Sequence, residues 1–188
     1  MITLIIVDVQ NDFISGSFRI NNASNILTPI KQFISRNCEK INKIILTADW
    51  HPYNHCSFKR NGGEFPTHCV QFTPGACIEP KLLKFIQSKN IDYEVITKGS
   101  IEEVEECGAF SDIQYKADYF GERYYLDIAE IEADSELVIC GVGDCVRFTI
   151  SNLINSGLTP KLLKEGIAPI DVNSFNDFVK ENNLEKYE

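Results

Sequence analysis

The 188 residues include only three histidines, no run of lysine or arginine, and no apolar stretch that approaches the length of a membrane span. Each shortage excludes something. Eighteen Lys and Arg against 27 Asp and Glu give a formal net charge of −9. Without a clustered basic surface to neutralise phosphates, that charge argues against a nucleic-acid partner. A membrane-crossing helix needs about 20 consecutive apolar residues, which no segment supplies. The opening "MITLIIVDVQ" lacks a basic leader and a small-residue cleavage site, and Asp8 interrupts it early. It reads as a first buried strand, not as a signal peptide. No internal repeat and no low-complexity linker divides the chain, so residues 1–188 are expected to form one domain. The seven cysteines (38, 56, 69, 77, 107, 140 and 145) are odd in number, irregularly spaced and without a CxxC pair. Reduced thiols in the cytoplasm are expected in place of a disulfide framework, most of them inert small hydrophobes.

What is present is the pattern of an α/β protein. "TLIIVDV", "KIILTAD" and "ELVICGV" are near-continuous apolar runs, as suits strands of a parallel sheet covered on both faces. "YEVITKG" is a fourth strand and "TPKLLKEG" a weaker fifth. Between them, Ile26, Leu27, Ile30, Phe33 and Ile34 keep helical spacing, with Asn25 or Ser24 as cap and Pro29 in the first turn. Val146, Ile150, Leu153, Ile154 and Leu158 mark a second helix ended by Gly157, and "PKLLKFIQSKN" and "NSFNDFVKENNLE" read as two more. Alternating strands and helices predict a doubly wound, mostly parallel sheet with helices on both faces. One long irregular stretch, Trp50 to Gly75, holds all three histidines, and a loop of that length in a compact domain tends to be functional or disordered.

Ligands of open α/β sheets sit at the carboxyl ends of strands. Asp8 ends the first strand, Lys98 ends "YEVITKG", and Cys145 follows "ELVICGVGD" where the next helix begins. A thiol there is expected to gain thiolate character from the helix N-terminus, whose amides can also stabilise an oxyanion. A carboxylate can take the thiol proton and a lysine can stabilise anionic states. Taken singly, each residue has a plainer reading: a strand-end carboxylate bonded to loop amides, a solvated lysine, a packing cysteine. Their joint placement at three strand ends raises the catalytic reading. Asp49 and His51, two residues apart, with His68 farther along the loop, form a carboxylate–imidazole set suited to Zn2+, Fe2+ or Mn2+ in a catalytic site. His55 is either a fourth ligand or a donor behind one. A Cys/His knuckle using Cys56 and Cys69 ranks below this, because the spacing lacks a CxxC pair.

"IIVDVQNDF", "DWHPYNHCSF" followed by "FPTHCVQFTPGA", "ITKG", "ECGAFSD" and "VICGVGDCVRFT" together resemble the nicotinamidases of the isochorismatase-like cysteine hydrolase family, over a span from the first strand to about Leu158. The resemblance implies a catalytic triad of Asp8, Lys98 and Cys145, and metal ligands Asp49, His51 and His68 for one divalent ion, Zn2+ first. It implies that Phe13 and Trp50 sandwich a flat aromatic ring. The backbone amides of Val142 to Cys145 would form an oxyanion hole, in a turn with a cis peptide. "GVGDCV" is about two residues shorter than the family's usual turn, which bears on the oxyanion-hole geometry; Cys107 is a lesser second thiol. The implied activity is hydrolysis of nicotinamide to nicotinate and ammonia through a thioester on Cys145, in NAD salvage, by a cytoplasmic enzyme whose oligomeric state is left open. The competing readings are a sibling amidohydrolase acting on another small amide or carbamoyl compound, and a catalytically silent metal-binding module on the same scaffold.

Overall fold

Strands buried on both faces need partners on both edges, and the chain supplies them in a single sheet. The computed structural model describes residues 1–110, 131 and 135–188. Its strands are β1 (Ile2–Val7), β2 (Ile41–Asp49), β3 (Asp92–Lys98), β4 (Glu136–Val142) and β5 (Lys161–Ala168). Their order is β3-β2-β1-β4-β5, and every neighbouring pair is parallel. β1, β2 and β4 are the three apolar runs named from sequence, and β3 and β5 fall on the fourth and the weaker fifth strand expected there. The helices are α1 (Asn11–Ile14), α2 (Leu27–Asn37), α3 (Pro80–Gln87), α4 (Cys145–Asn155) and α5 (Val172–Glu181).

Side chains alternate across the sheet with the period of two that a pleated strand imposes. Leu4, Ile6, Ile44, Leu46, Val138 and Cys140 pack on one face with Ile30, Phe33 and Ile34 of α2 and Leu82 and Ile86 of α3. Ile5, Val7, Ile45, Leu137 and Ile139 pack on the other, against Val146, Ile150 and Leu153 of α4 and Phe175 of α5. The expected doubly wound arrangement is therefore present. Full burial of an Ile or Leu side chain contributes about 1.5–3 kcal/mol, and β1, sandwiched between two layers, concentrates that contribution.

The helix starts differ from expectation in one place. Neither Ser24 nor Asn25 caps α2, because a 3-10 turn over Ala23–Ile26 runs directly into it from Asn22, which is left-handed (φ 62). Pro29 does fall in the first turn. At α3 and α5 carboxylates do the capping: Glu79 accepts from the Leu82 amide at 2.7 Å, and Asp171 from Asn173 and Ser174 at 2.8 and 3.1 Å. The Trp50–Gly75 stretch is built on short bridges, His51 with Val70 and Phe58 with Phe65. Among the described residues no helix is long and apolar enough to cross a membrane. Of the "ECGAFSD" motif, Ser111 and Asp112 lie outside the described residues.

The strand order puts the switch point between β1 and β4, where successive connections leave toward opposite faces and open a crevice. As a test of the core, Ile5→Ala is expected to cost about 2–5 kcal/mol in denaturant unfolding. Val172→Ala, on the exposed start of α5, should change stability by less than about 0.5 kcal/mol.

Candidate active site

Four adjacent strands end at this crevice, and each delivers one group to it. β1 ends at Val7, paired with Thr47 on one side and Gly141 on the other. β4 approaches closely there because Gly141 has no side chain: a Cβ would lie 2.2 Å from the Val7 carbonyl oxygen. Asp8 then turns into the left-handed region (φ 52), a strained conformation for a non-glycine residue and one that gathers at functional sites. Its amide donates to the Thr47 carbonyl at 3.1 Å, and the Thr47 hydroxyl donates to Asp8 Oδ1 at 2.6 Å.

Lys98 ends β3 and is 1% exposed. Its ammonium lies 2.8 Å from Asp8 Oδ2, bonds Asp49 Oδ1 and donates to the Glu106 carbonyl at 3.3 Å. Three N–H groups thus meet three acceptors. Burial alone would pull the lysine down, but the carboxylates of Asp49 and Asp8 outweigh it and hold Lys98 well above the usual lysine range. Burial likewise works to raise Asp49, yet Lys98, His51 and His68 together hold it well below the ordinary carboxylate value. Asp8 goes the other way: burial, reinforced by the Asp49 charge, raises it despite Lys98.

Asp49 turns its second oxygen to the histidines. His51 Nε2 is 3.5 Å and His68 Nε2 3.8 Å from Asp49 Oδ2. The opposite ring nitrogens contact carbonyl oxygens, His51 Nδ1 to Gly99 at 2.9 Å and His68 Nδ1 to Pro66 at 2.7 Å. A carbonyl can only accept, so both rings carry an N–H at Nδ1 and present Nε2 towards Asp49. Two imidazole nitrogens and a carboxylate oxygen facing one point require positive charge there. The three ligand atoms lie within 4.8 Å of one another and the three residues are buried. Bonds of about 2.0–2.1 Å in tetrahedral geometry separate ligand atoms by roughly 3.3 Å, so these residues fit a divalent ion with a small inward adjustment. His51 shows the same demand for charge: burial disfavours its protonated form, but Asp49 and the Gly99 carbonyl outweigh burial and raise its pKa. Gly99 (φ 60) leaves room for the ring, since a Cβ there would sit 2.5 Å from His51 Cε1.

His55 is not a fourth member of that set. Its Nδ1 bonds the Ser57 hydroxyl at 2.8 Å, its Nε2 the Val104 carbonyl at 2.9 Å, and its ring stacks on His51 at 4.0 Å. Cys56 and Cys69 also stand outside the ligand group among the described residues.

Cys145 is the first residue of α4 and is half-buried as a residue, where Asp8, Lys98, Asp49, His51 and His68 are buried. Its sulfur and carboxylate oxygens of Asp8 and Asp49 lie within 4.8 Å of one another. The thiolate character expected from the helix N-terminus does not prevail. Burial of the sulfur, with the charges of Asp8 and Asp49, holds the thiol well above its ordinary value against the pull of Lys98. Cys107, pushed by burial and Glu105 to about 11, is no better a nucleophile. In the turn before Cys145, Gly143 (φ 74) donates its amide to the Ala168 carbonyl at 2.9 Å. That removes one amide from the expected oxyanion hole. No peptide bond among the described residues is cis, in contrast to the turn the resemblance implies. Asp144 makes no side-chain cap, so the amides beginning at Cys145 are the ones a helix leaves without an internal partner.

Of the two aromatic residues named from sequence, Phe13 lies beside the ligand group, 5.4 Å from the His68 ring. Trp50 follows Asp49 directly, and its ring meets the exposed Phe72 at 5.4 Å. Sequence reasoning missed Phe18 and Phe65, whose rings lie 5.0 and 6.1 Å from His68. Phe65 was available inside the "FPTHCV" motif; nothing in the sequence marked Phe18. It also missed Thr47, Glu106, Gln10 and Asp12, which hold the functional groups in place.

No family model matches the chain. The nicotinamidase of Acinetobacter baylyi is 30% identical over 190 residues, covering 90% of this chain and 82% of that one. The nicotinamidase of Saccharomyces cerevisiae is 27% identical over 221 residues, covering 98% of both. The crystal structure of the pyrazinamidase of Pyrococcus horikoshii in complex with zinc superposes with a TM-score of 0.74 at 27% identity, covering 99% of this chain and 98% of that one. With the strand-end cluster and the carboxylate–imidazole group in place across the matched length, the chain belongs to the nicotinamidases of the isochorismatase-like hydrolase family.

Proposed function

We propose that the protein is a metal-assisted cysteine amidohydrolase that converts nicotinamide to nicotinate and ammonia, in NAD salvage. The observation that carries the reading is the convergence of the Cys145 thiol, the Asp8 carboxylate and the Lys98 ammonium next to the Asp49–His51–His68 group. The names of the relatives supply the substrate. Zn2+ is our first choice of ion, on the donor set and on the zinc bound by the Pyrococcus horikoshii relative. The seven free thiols suit a reducing cytoplasm.

When bound at Asp49, His51 and His68, the ion supplies a coordination position for the pyridine nitrogen and so orients the ring. Phe13 and Trp50 flank the ring. The resting nucleophile is a thiol. Asp8, raised by burial, is basic enough to take its proton as the sulfur attacks the carboxamide carbon. The C–S bond forms, and the carbonyl electron pair moves to oxygen, where amides at the start of α4 receive it. Asp8 returns the proton to nitrogen, the C–N bond breaks, and ammonia leaves a thioester on Cys145. Asp8 then deprotonates water, which attacks the thioester, releases nicotinate and restores the thiol. Throughout, Lys98 stays protonated and holds Asp8 in register.

An ammonia-release assay over a panel of small amides tests the substrate: nicotinamide should lead, and prior chelation should abolish its turnover. Cys145→Ala should eliminate ammonia release while metal content stays at the wild-type level; retained turnover would end the covalent mechanism. A second test concerns proton ownership. Alkylation of Cys145 by iodoacetamide, followed by mass spectrometry in the metal-free protein, should have its pH midpoint above that of an ordinary thiol. Because Asp8 is one of the charges that raise it, Asp8→Asn should move the midpoint to lower pH while removing turnover. An unchanged or higher midpoint would separate Asp8 from the thiol.

A further inference from the structure

We infer that Gln10 and Asp12, on the turn that leaves β1, preset the main chain at the proposed metal ligands and so determine how tightly the site binds a divalent cation. The inference rests on reading Asp49, His51 and His68 as ligands. The β1–β2 ladder has its last rung at Val7 and Thr47, because Asp8 turns the main chain aside. Asp49 lies two residues beyond that rung. There the side chain of Gln10 takes the place of a strand: its Nε2 donates to the Asp49 carbonyl at 2.8 Å, and its Oε1 accepts the Asp49 amide at 2.8 Å. A primary carboxamide carries the same donor and acceptor as a peptide group, so it completes one more rung. The second N–H of Gln10 donates to the Ala76 carbonyl at 2.8 Å, and the residue is fully buried. On its other edge Asp49 pairs with Lys98 of β3, and the Trp50 amide donates to the Lys98 carbonyl at 2.9 Å. The backbone of Asp49 is therefore gripped from both sides.

Asp12 acts at His68. Its Oδ2 accepts the amide of Cys69, the next residue, at 2.8 Å, and its Oδ1 accepts the Ser17 amide at 3.1 Å. Cys69 is left-handed (φ 46), a conformation that needs outside support in a non-glycine residue. Gly75 lets the loop close over this carboxylate, since a Cβ there would lie 2.2 Å from Asp12 Oδ2. Two side chains two residues apart thus hold the peptide of one ligand and the peptide following another. Neither enters the mechanism above; both are positioning residues. Partners of this kind, one step removed from the ion, typically change metal affinity by about 10–100-fold.

The test is a Co2+ titration of metal-free wild-type, Gln10→Met and Asp12→Ala proteins, followed by the visible d–d absorption. Each is run below its own unfolding midpoint, so that only folded protein is read. Gln10→Met preserves shape but removes the three bonds; it should raise the Co2+ Kd by about tenfold or more and alter the d–d band. Asp12→Ala should move both in the same direction. If the variants melt at lower temperature yet bind Co2+ with wild-type affinity and spectrum, their role is structural only and the inference is overturned. Should Gln10→Met fail to fold, Asp12→Ala decides alone, and wild-type affinity there overturns it. A wild-type protein that binds no Co2+ would instead overturn the metal reading itself, and this inference with it.

Discussion

A single buried ammonium joins the two halves of the site. Lys98 lies between Asp8, the base of the proposed catalytic group, and Asp49, the carboxylate of the proposed metal group. Moving charges out of water is costly unless they are paired and hydrogen-bonded. Here the pairing is divided by atom: Asp49 gives Oδ1 to Lys98 and presents Oδ2 to the two histidines. One carboxylate therefore couples both groups, and a change on either side is felt on the other. Asp8 and Asp49 against Lys98 leave the cluster one positive charge short of balance, and the shortfall lies on the side where Oδ2 meets the imidazoles. A lysine suits this junction better than an arginine would. Its compact head points three donors at three separate acceptors, whereas a planar guanidinium matches a single bidentate partner.

The sheet makes that junction possible. With the order β3-β2-β1-β4, Lys98, Asp49, Asp8 and Cys145 come from four neighbouring strand ends, about 4.8 Å apart from one strand to the next. Lys98 and Asp49 are register partners, so their pairing follows from strand pairing itself. Asp8 stops short of Asp49 along the shared edge, and the long lysine side chain spans the offset. The helical layers on both faces bury the strands that hold these groups still, so the rigidity of the site derives from the apolar core beneath it.

That division explains what could be read from the amino-acid sequence. The strands were legible because a sheet covered on both sides demands runs of Ile, Val and Leu, which "TLIIV" and the "IIL" of "KIILTAD" supply. The charged residues at their ends stood out against that background. His51 and His68 were legible as a pair with Asp49 because ligand chemistry restricts the residue types. Other features depend on groups brought together from distant segments. The role of His55 is set by the Val104 carbonyl, 49 residues away, and its place in the same loop as His51 left it open between a ligand and a donor behind one. Gln10 is an ordinary polar residue until its amide meets Asp49 across 39 residues. The start of α2 was misread because local capping preference lost to a 3-10 turn that the Ser24–Asn25 pair itself helps form.

The thiol is where two physical tendencies oppose one another. A helix N-terminus favours an anion by up to about 2 kcal/mol in partly buried settings, which argues for thiolate at Cys145. Burial and two nearby carboxylates prevail, and the thiol keeps its proton. The dipole and the first-turn amides of α4 are then not consumed by a resting anion. Asp144 does not cap them, and the Gly143 amide is already committed to Ala168. In the proposed mechanism their capacity is held for negative charge that appears only during reaction, on the substrate oxygen. Catalysis requires that difference, because an interaction equally strong in the ground state and in the transition state does not accelerate the chemical step. In that mechanism a protonated Cys145 beside an Asp8 raised by burial leaves the helix terminus to act on the tetrahedral state.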